Sequence, residues 1–347
     1  MLSLLAWLYG RVVALRNYLY HKGILDVHDL RARTISIGNI TVGGTGKTPL
    51  VAYVAREAAA RGEKVCILSR GYGRENAGER VLVSDGDRVL VDASRGGDEP
   101  VELANKLLGT AIVIADADRV GAAEWALRKF GVTAFVLDDA FQHRRVRRNV
   151  DIVCVDATDP FGGGQMLPAG RLREPVENLD RANVIVITRV EQVGDILDLR
   201  SQISEIAPAA RVVECRTRLE GIRTFTAETQ RCGGNLNDAQ ALSDKARLGQ
   251  VFAFCALGNP ENFFSLLRES GIAIAGTREF IDHHRYTQDD LDEIQNAARD
   301  AGAEALITTA KDAVKLAELR LSIPCFVAEI EIELDDPAGF AAAIVGS

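Results

Sequence analysis

Thr34-Ile35-Ser36-Ile37-Gly38 runs on into Thr41-Val42-Gly43-Gly44-Thr45-Gly46-Lys47-Thr48. An apolar strand, a glycine-rich turn and a helix opening at Lys47 form the pattern that holds nucleotide phosphates. Glycines let backbone N–H groups turn inward, and the N-terminus of the following helix adds the positive end of its dipole. Gly46-Lys47-Thr48 match the end of the general motif, whereas its first glycine is replaced by Thr41. In this pattern residues Thr41 to Thr48 cradle the phosphates, Lys47 bridges the β- and γ-phosphates and the Thr48 hydroxyl holds Mg²⁺. The motif fixes nucleotide binding and is silent on what is phosphorylated.

Outward from this loop, short apolar runs alternate with amphipathic stretches. A helix is expected to about Ala60, then a strand over Lys64 to Ser69. Val81-Leu82-Val83 and Arg88 to Val91 flank the turn signal Ser84-Asp85-Gly86-Asp87 and predict a hairpin. A helix over Glu99 to Leu108, a strand over Ala111 to Ala115 and a helix over Val120 to Lys129 follow. Strands are expected at Ala134 to Leu137, Asp151 to Val155 and Val184 to Thr188. This alternation predicts an α/β fold, a P-loop NTPase-like, doubly wound and mostly parallel sheet. Composition turns polar around residues 210–248, where Gly233-Gly234 break the rhythm. Beyond it come a strand over Val251 to Leu257, a helix over Glu261 to Ser270, and a helix opening at Thr287 with Asp290 three residues on. Strands at Ala305-Leu306-Ile307 and Cys325 to Leu334 complete a second, smaller α/β domain. The expected organisation is therefore a helix over 1–22, a phosphate-loop core over 23–210 and a smaller C-terminal domain over 211–347.

The chain has 347 residues, 47% hydrophobic and 26% charged, with a net charge of -8. An acidic balance of this kind argues against nucleic acid as the main partner, because phosphate backbones attract basic surfaces. Six cysteines are spread without the close pairs that build zinc sites. Cys66, Cys154 and Cys255 fall in apolar runs and are expected as reduced, buried thiols. Residues 1–22 are rich in Leu, Trp and Tyr, but Arg11 and Arg16 interrupt them short of the ~20 apolar residues that a spanning helix needs. No signal-peptide pattern is present. Two readings stay open from these residues alone: an amphipathic helix in the membrane interface, or a helix packed on the protein's own body.

Several further runs carry chemistry-bearing residues, each with a plainer alternative. Ala134 to Leu137 end in Asp138-Asp139, where a Mg²⁺-holding acid belongs beside the loop, although paired aspartates also cap turns. Asp98, in the glycine-rich Arg95-Gly96-Gly97-Asp98, is either an N-cap or the acceptor of a substrate proton. Asp282-His283-His284 pairs an acid with histidine, as a tuned general base requires. Leu167 to Pro175 carry Arg171, Arg173 and Glu174; Ser69 to Gly73 carry Arg70 and Tyr72; Gln142 follows the aspartate pair.

Taken together, these segments resemble the tetraacyldisaccharide 4'-kinase family of lipid A synthesis. The resemblance rests on Gly38 to Pro49, Ser69 to Gly73, Gly96 to Pro100, Leu137 to His143, Leu167 to Glu174, Asp282 to His284 and Thr308 to Asp312. It implies transfer of the ATP γ-phosphoryl group to the 4'-hydroxyl of an acylated glucosamine disaccharide 1-phosphate. It implies Asp98 as base assisted by His283, with Asp282 beside them and Lys47 at the phosphates. His284 is the alternative assistant. Thr48, Asp138, Asp139 and Glu174 would surround Mg²⁺, and Arg70, Tyr72, Arg119, Gln142 and Arg173 would meet substrate or phosphate. The second domain would close over the first and bring His283 to Asp98. A lipid substrate also favours docking of the N-terminal helix, placing a peripheral enzyme on the cytoplasmic face of the bacterial inner membrane. Two rivals lose ground on sequence. Positioning ATPases of this class commonly place a lysine where Val42 stands, and the Asn-Lys-x-Asp run of GTPases is absent.

Overall fold

The computed structural model describes residues 2–225 and 248–345, so Cys232 and Gly233-Gly234 lie outside the described residues. In chain order the first elements are α1 (Leu2–His21), β1 (Arg33–Asn39), α2 (Lys47–Ala59), β2 (Val65–Ser69) and β3 (Val81–Ser84). Next come α3 (Ala93–Gly96), α4 (Asp98–Lys106), β4 (Ala111–Ala115), α5 (Arg119–Phe130), β5 (Ala134–Leu137) and β6 (Val150–Asp156). They are followed by β7 (Val184–Thr188), α6 (Leu197–Ile206), β8 (Arg211–Thr224), β9 (Val251–Cys255) and α7 (Pro260–Glu269). The chain ends with β10 (Ile274–Glu279), α8 (Gln288–Asp300), β11 (Ala305–Thr309), α9 (Ala310–Ala313), β12 (Cys325–Leu334) and α10 (Pro337–Val345).

Two compact units emerge. Unit 1 comprises Met1–Arg70, Thr110–Thr217 and Ile332–Ser347; unit 2 comprises Gly71–Gly109 and Arg218–Glu331. The single cut near residue 210 expected from composition is replaced by a discontinuous division. The segment holding α3 and α4 belongs with the C-terminal half, and α10 belongs with the phosphate loop. A linear shift in composition cannot reveal such returns of the chain, because it registers only neighbours in sequence.

In unit 1 the strand order is β8-β7-β6-β1-β5-β2-β4. Neighbouring strands in this order pair in parallel, with β1 between β5 (Ile35↔Val136) and β6 (Ile37↔Ile152). β2, β4 and β7 are buried at every residue, which explains why their sequences are continuous apolar runs rather than alternating ones. β1 is central, so its carboxyl end lies beside that of β5, the edge at which open α/β sheets take ligands. Ile40, Phe141, Val153 and Ile185 join one cluster of the core.

In unit 2 the order is β10-β9-β11-β12-β8, with β9–β10, β9–β11 and β11–β12 parallel. The amide of Phe225 donates to the Cys325 carbonyl, and the amide of Asp335 to that of Glu214, so β8 and β12 run antiparallel. Leu267 and Ile272 pack in one cluster of this unit, and Phe254 with Leu291 in another. The hairpin expected over residues 81–91 is reduced to one bridge, Ser84↔Val89, with no second strand. β8 was hidden in the polar region near 210 because its burial alternates irregularly. Cys66, Cys154, Cys215, Cys255 and Cys325 are free and buried.

Candidate active site

The phosphate loop starts where β1 ends. Gly43 and Gly46 have positive φ, 114° and 74°, and Gly46 is the left-handed cap from which α2 begins. Thr45, which is buried, accepts from Asn39 Nδ2 at 3.0 Å, and its carbonyl accepts from Thr188 Oγ1 at 3.0 Å. A second segment stitches the loop's other side. Val42 N donates to the Arg171 carbonyl at 2.8 Å, Arg171 Nη2 returns to the Val42 carbonyl at 2.9 Å, and Arg173 N donates to the Ile40 carbonyl at 2.7 Å. These contacts hold the loop's shape from outside.

At the end of β5, Asp139 turns into the left-handed region (φ 46°) and directs its carboxylate at two cations. Lys47 Nζ lies 3.4 Å from it and Arg173 Nη1 2.9 Å. Burial pushes the Asp139 carboxyl up, but Lys47 and Arg173 outweigh burial and hold it down at about 2. Asp138, 3% exposed, accepts from Ser69 Oγ at 2.9 Å. The buried Arg119 donates to the Asp138 carbonyl at 2.6 Å, and Gln142 Nε2 to the Asn39 carbonyl at 2.8 Å. In this structure these two candidates for substrate contact brace the backbone of the site. Arg70 is exposed at the end of β2.

Glu174 departs from expectation. Its side chain is 0% exposed, Oε1 accepts from Arg16 at 2.8 Å, and Oε2 accepts from Arg181 at 2.6 Å and Asn178 at 2.8 Å. A carboxylate already engaged by two guanidinium groups and an amide is a poor Mg²⁺ ligand, so its assignment to the metal is corrected to a structural one. Its partner Arg16 comes from α1. Tyr9 of the same helix donates to the Arg173 carbonyl at 3.1 Å, and Ala6 and Val13 are buried. α1 therefore packs on unit 1, yet Leu4, Trp7, Val12 and Leu15 on it are about 59–65% exposed. No described helix is long and apolar enough to cross a membrane.

The remaining donors suit a hard cation. Thr48 would contribute a hydroxyl, and Asp138 and Asp139 would contribute carboxylates. Among the described residues no cluster of three or more His, Cys, Asp or Glu could hold a metal by itself. Mg²⁺ prefers oxygen ligands and is commonly held by one or two carboxylates together with phosphate oxygens and water.

Unit 2 holds the other group of candidate residues. Gly97 (φ 91°) precedes α4, and a Cβ there would lie 3.1 Å from Gly71 Cα and the Tyr72 carbonyl. A larger residue would push the start of α4 off the turn at 71–72. Asp98 opens that helix, buried, with Oδ2 2.8 Å from His283 Nδ1. Burial pushes the Asp98 carboxyl up, but the His283 hydrogen bond and the nearby Lys311 bring it below its ordinary value. The same hydrogen bond raises His283 against the effect of its burial. The pair is therefore biased toward carboxylate and imidazolium.

The pair already sits within unit 2, so the expectation that domain closure brings His283 to Asp98 is replaced by a preformed contact. His284 is directed elsewhere, with Nε2 3.1 Å from Asp290 Oδ2 and its ring stacked on Phe280. Asp282 Oδ1 accepts from the His283 amide at 3.0 Å and from Lys311 Nζ at 3.0 Å. Tyr72, Ser94, Asp98, His283, Arg285 and Lys315 are among the residues lining a cavity of about 240 Å³. In the sequence Arg171 stands only as one of two arginines in a charged loop, and Lys311 only within the run Thr308 to Asp312. The signal for Arg171 was its place in the same loop as Arg173, and for Lys311 its place directly after a buried strand.

Known proteins resemble this chain along its whole length. The LpxK family model, described as tetraacyldisaccharide-1-P 4'-kinase, matches residues 1–347. The tetraacyldisaccharide 4'-kinase of Halothermothrix orenii is 37% identical over 99% of this chain and 91% of its own length. That of Geobacter metallireducens is 40% identical over 99% and 96%. The crystal structure of the apo form of LpxK from Aquifex aeolicus in complex with ATP superposes with a TM-score of 0.77 at 28% identity, covering 98% of this chain and 96% of that one. With the family matched along its whole length, this chain belongs to the tetraacyldisaccharide 4'-kinases.

Proposed function

We propose that this ATP-dependent kinase transfers the γ-phosphoryl group to the 4'-hydroxyl of an acylated glucosamine disaccharide 1-phosphate, with Asp98 as the base. The observation that carries the chemistry is the Asp98–His283 contact beside an open cavity. A buried carboxylate backed by a histidine can take the proton of a sugar hydroxyl as that oxygen attacks. His283 shares the proton and fixes the carboxylate's orientation. In unit 1 the amides of Thr41 to Thr48 and the N-terminus of α2 would receive phosphate oxygens. Lys47 would exchange its partner Asp139 for the β- and γ-phosphates, leaving Asp139 and Asp138 as acids for a cation. Mg²⁺ bound there would neutralise charge developing on the phosphate oxygens. Arg173 would keep Asp139 aimed, and Glu174 would keep the backbone of Arg173 in place. Transfer needs the base of unit 2 and the cradle of unit 1 to act on one substrate, and domain closure is the proposed means.

The apolar outer side of α1 supports peripheral docking to a membrane, which on this reading is the cytoplasmic face of the inner membrane, where ATP is available. The test is transfer of radiolabel from ATP to the purified disaccharide lipid in detergent micelles. Label should reach the lipid, and Asp98→Asn should lower kcat by roughly 10²–10⁴ while ATP still binds. Unlabelled lipid, or full turnover in the variant, would overturn the proposal.

A further inference from the structure

Among the described residues of unit 2, the largely buried Lys311 takes no part in the chemistry proposed for this site. Lys311, in α9, has a side chain 11% exposed and an ammonium surrounded by three carboxylates. Nζ lies 3.0 Å from Asp282 Oδ1, 3.4 Å from Glu99 Oε1 and 3.9 Å from Asp98 Oδ2. Its root is fixed. Thr309 caps α9, accepting from the Asp312 amide at 3.1 Å. The wholly buried Asp312 side chain accepts from Ala256 N at 3.1 Å and Thr309 Oγ1 at 2.7 Å, and pairs with Lys315 at 2.7 Å. α9 is thereby pinned to the end of β9. The three carboxylates come from two other segments, the start of α4 and the loop after β10.

We infer that Lys311 is a positioning residue for Asp98, a fixed ammonium that ties the start of α4 to the loop bearing Asp282 and His283 and holds the base and its histidine in one geometry. The inference rests on Asp98 being the base. A buried carboxylate needs compensating charge, and a single half-exposed histidine is a weak source of it. The cations acting on Asp98 are His283, Lys311 and Lys315, and the anions Glu99 and Asp282 share Lys311 with it. Of the two lysines, Lys311 is the one within ion-pair distance of Asp98, at 3.9 Å, while Lys315 pairs with Asp312.

The experiment is the pH dependence of kcat/KM for the full-length chain, with purified disaccharide lipid in micelles, in wild type, Lys311→Met, Lys311→Arg and Asp98→Asn. Removing a cation at this distance should move the acid limb of Lys311→Met upward by about one pH unit, hence lower activity about tenfold on that limb. ATP binding should be unchanged, and Lys311→Arg should return the limb toward the wild-type position. A lysine serving only as packing would lower stability without moving the limb. Should Lys311→Met not fold, Lys311→Gln, which keeps a polar side chain without the charge, provides the same reading and should move the limb up as well. Full turnover in Asp98→Asn overturns the assignment of the base itself. A collapsed Asp98→Asn beside an unmoved limb in Lys311→Met overturns only the part given to Lys311.

Discussion

Arg16 on the N-terminal helix offers a test of whether that helix is solely an anchor. Its guanidinium donates at 2.8 Å to Glu174, whose side chain is 0% exposed, while Arg16 itself is 36% exposed. Breaking a buried ion pair costs about 3–5 kcal/mol when one charge is left without a partner. Glu174 keeps Arg181 at 2.6 Å and Asn178 at 2.8 Å, and the Arg16 head reaches water, so a smaller loss applies. One hydrogen bond to a charged group, discounted for exposure, gives about 1–2 kcal/mol for Arg16→Met, which retains the apolar stem. A double-mutant cycle with Glu174→Gln isolates the pair. In the Glu174→Gln background the Arg16 substitution should cost little, giving a coupling of about 1 kcal/mol or more from urea midpoints. Because the acceptor is buried, most of the coupling should survive high salt. A coupling below about 0.3 kcal/mol would refute the reasoning, since it would make the contact energetically idle. Removal of residues 1–22 should likewise lower the melting temperature without any membrane present. A pure anchor would leave it unchanged.

Two further outcomes follow from the charge arrangement. Asp139, held near 2 against an ordinary value near 4, contributes about 2 kcal/mol of stability. Its folded value is depressed, so the contribution is present above about pH 4 and disappears as pH falls toward 2; Asp139→Asn should cost that amount in denaturant unfolding at pH 7, and equal stability at that pH would dismiss the link. For Asp98 and His283 the shifts oppose each other: the depressed acid stabilises above about pH 4, and the raised histidine stabilises below about pH 6.5 and loses that effect as pH rises through its folded value. The melting-temperature gap between wild type and Asp98→Asn should therefore be widest between those limits and narrow toward pH 8, and a gap that widens there would contradict the pairing.

The parts read well from sequence are those whose signal is local. β1, the glycine turn and α2 appear where expected because strand periodicity, glycine and a Gly-Lys-Thr helix start are short-range features. The Thr287 cap with Asp290 at the third helical position forms as a reciprocal capping box, again a contact within one turn. What failed was long-range. The alternating burial of β8 gave no clear apolar run, and the hairpin over 81–91 carried turn chemistry without a second strand.

The sequence by itself determined the phosphate cradle, the α/β class and the list of acids, because each depends on neighbours along the chain. Tertiary structure alone decided which charges meet. It gave Glu174 to Arg16 and Arg181, placed Asp98 with His283 in one unit across a long stretch of chain, and brought Lys311 among three carboxylates. The reason is physical: whether an ionisable group serves chemistry or structure depends on its burial and its partners, and both arise only when distant segments pack.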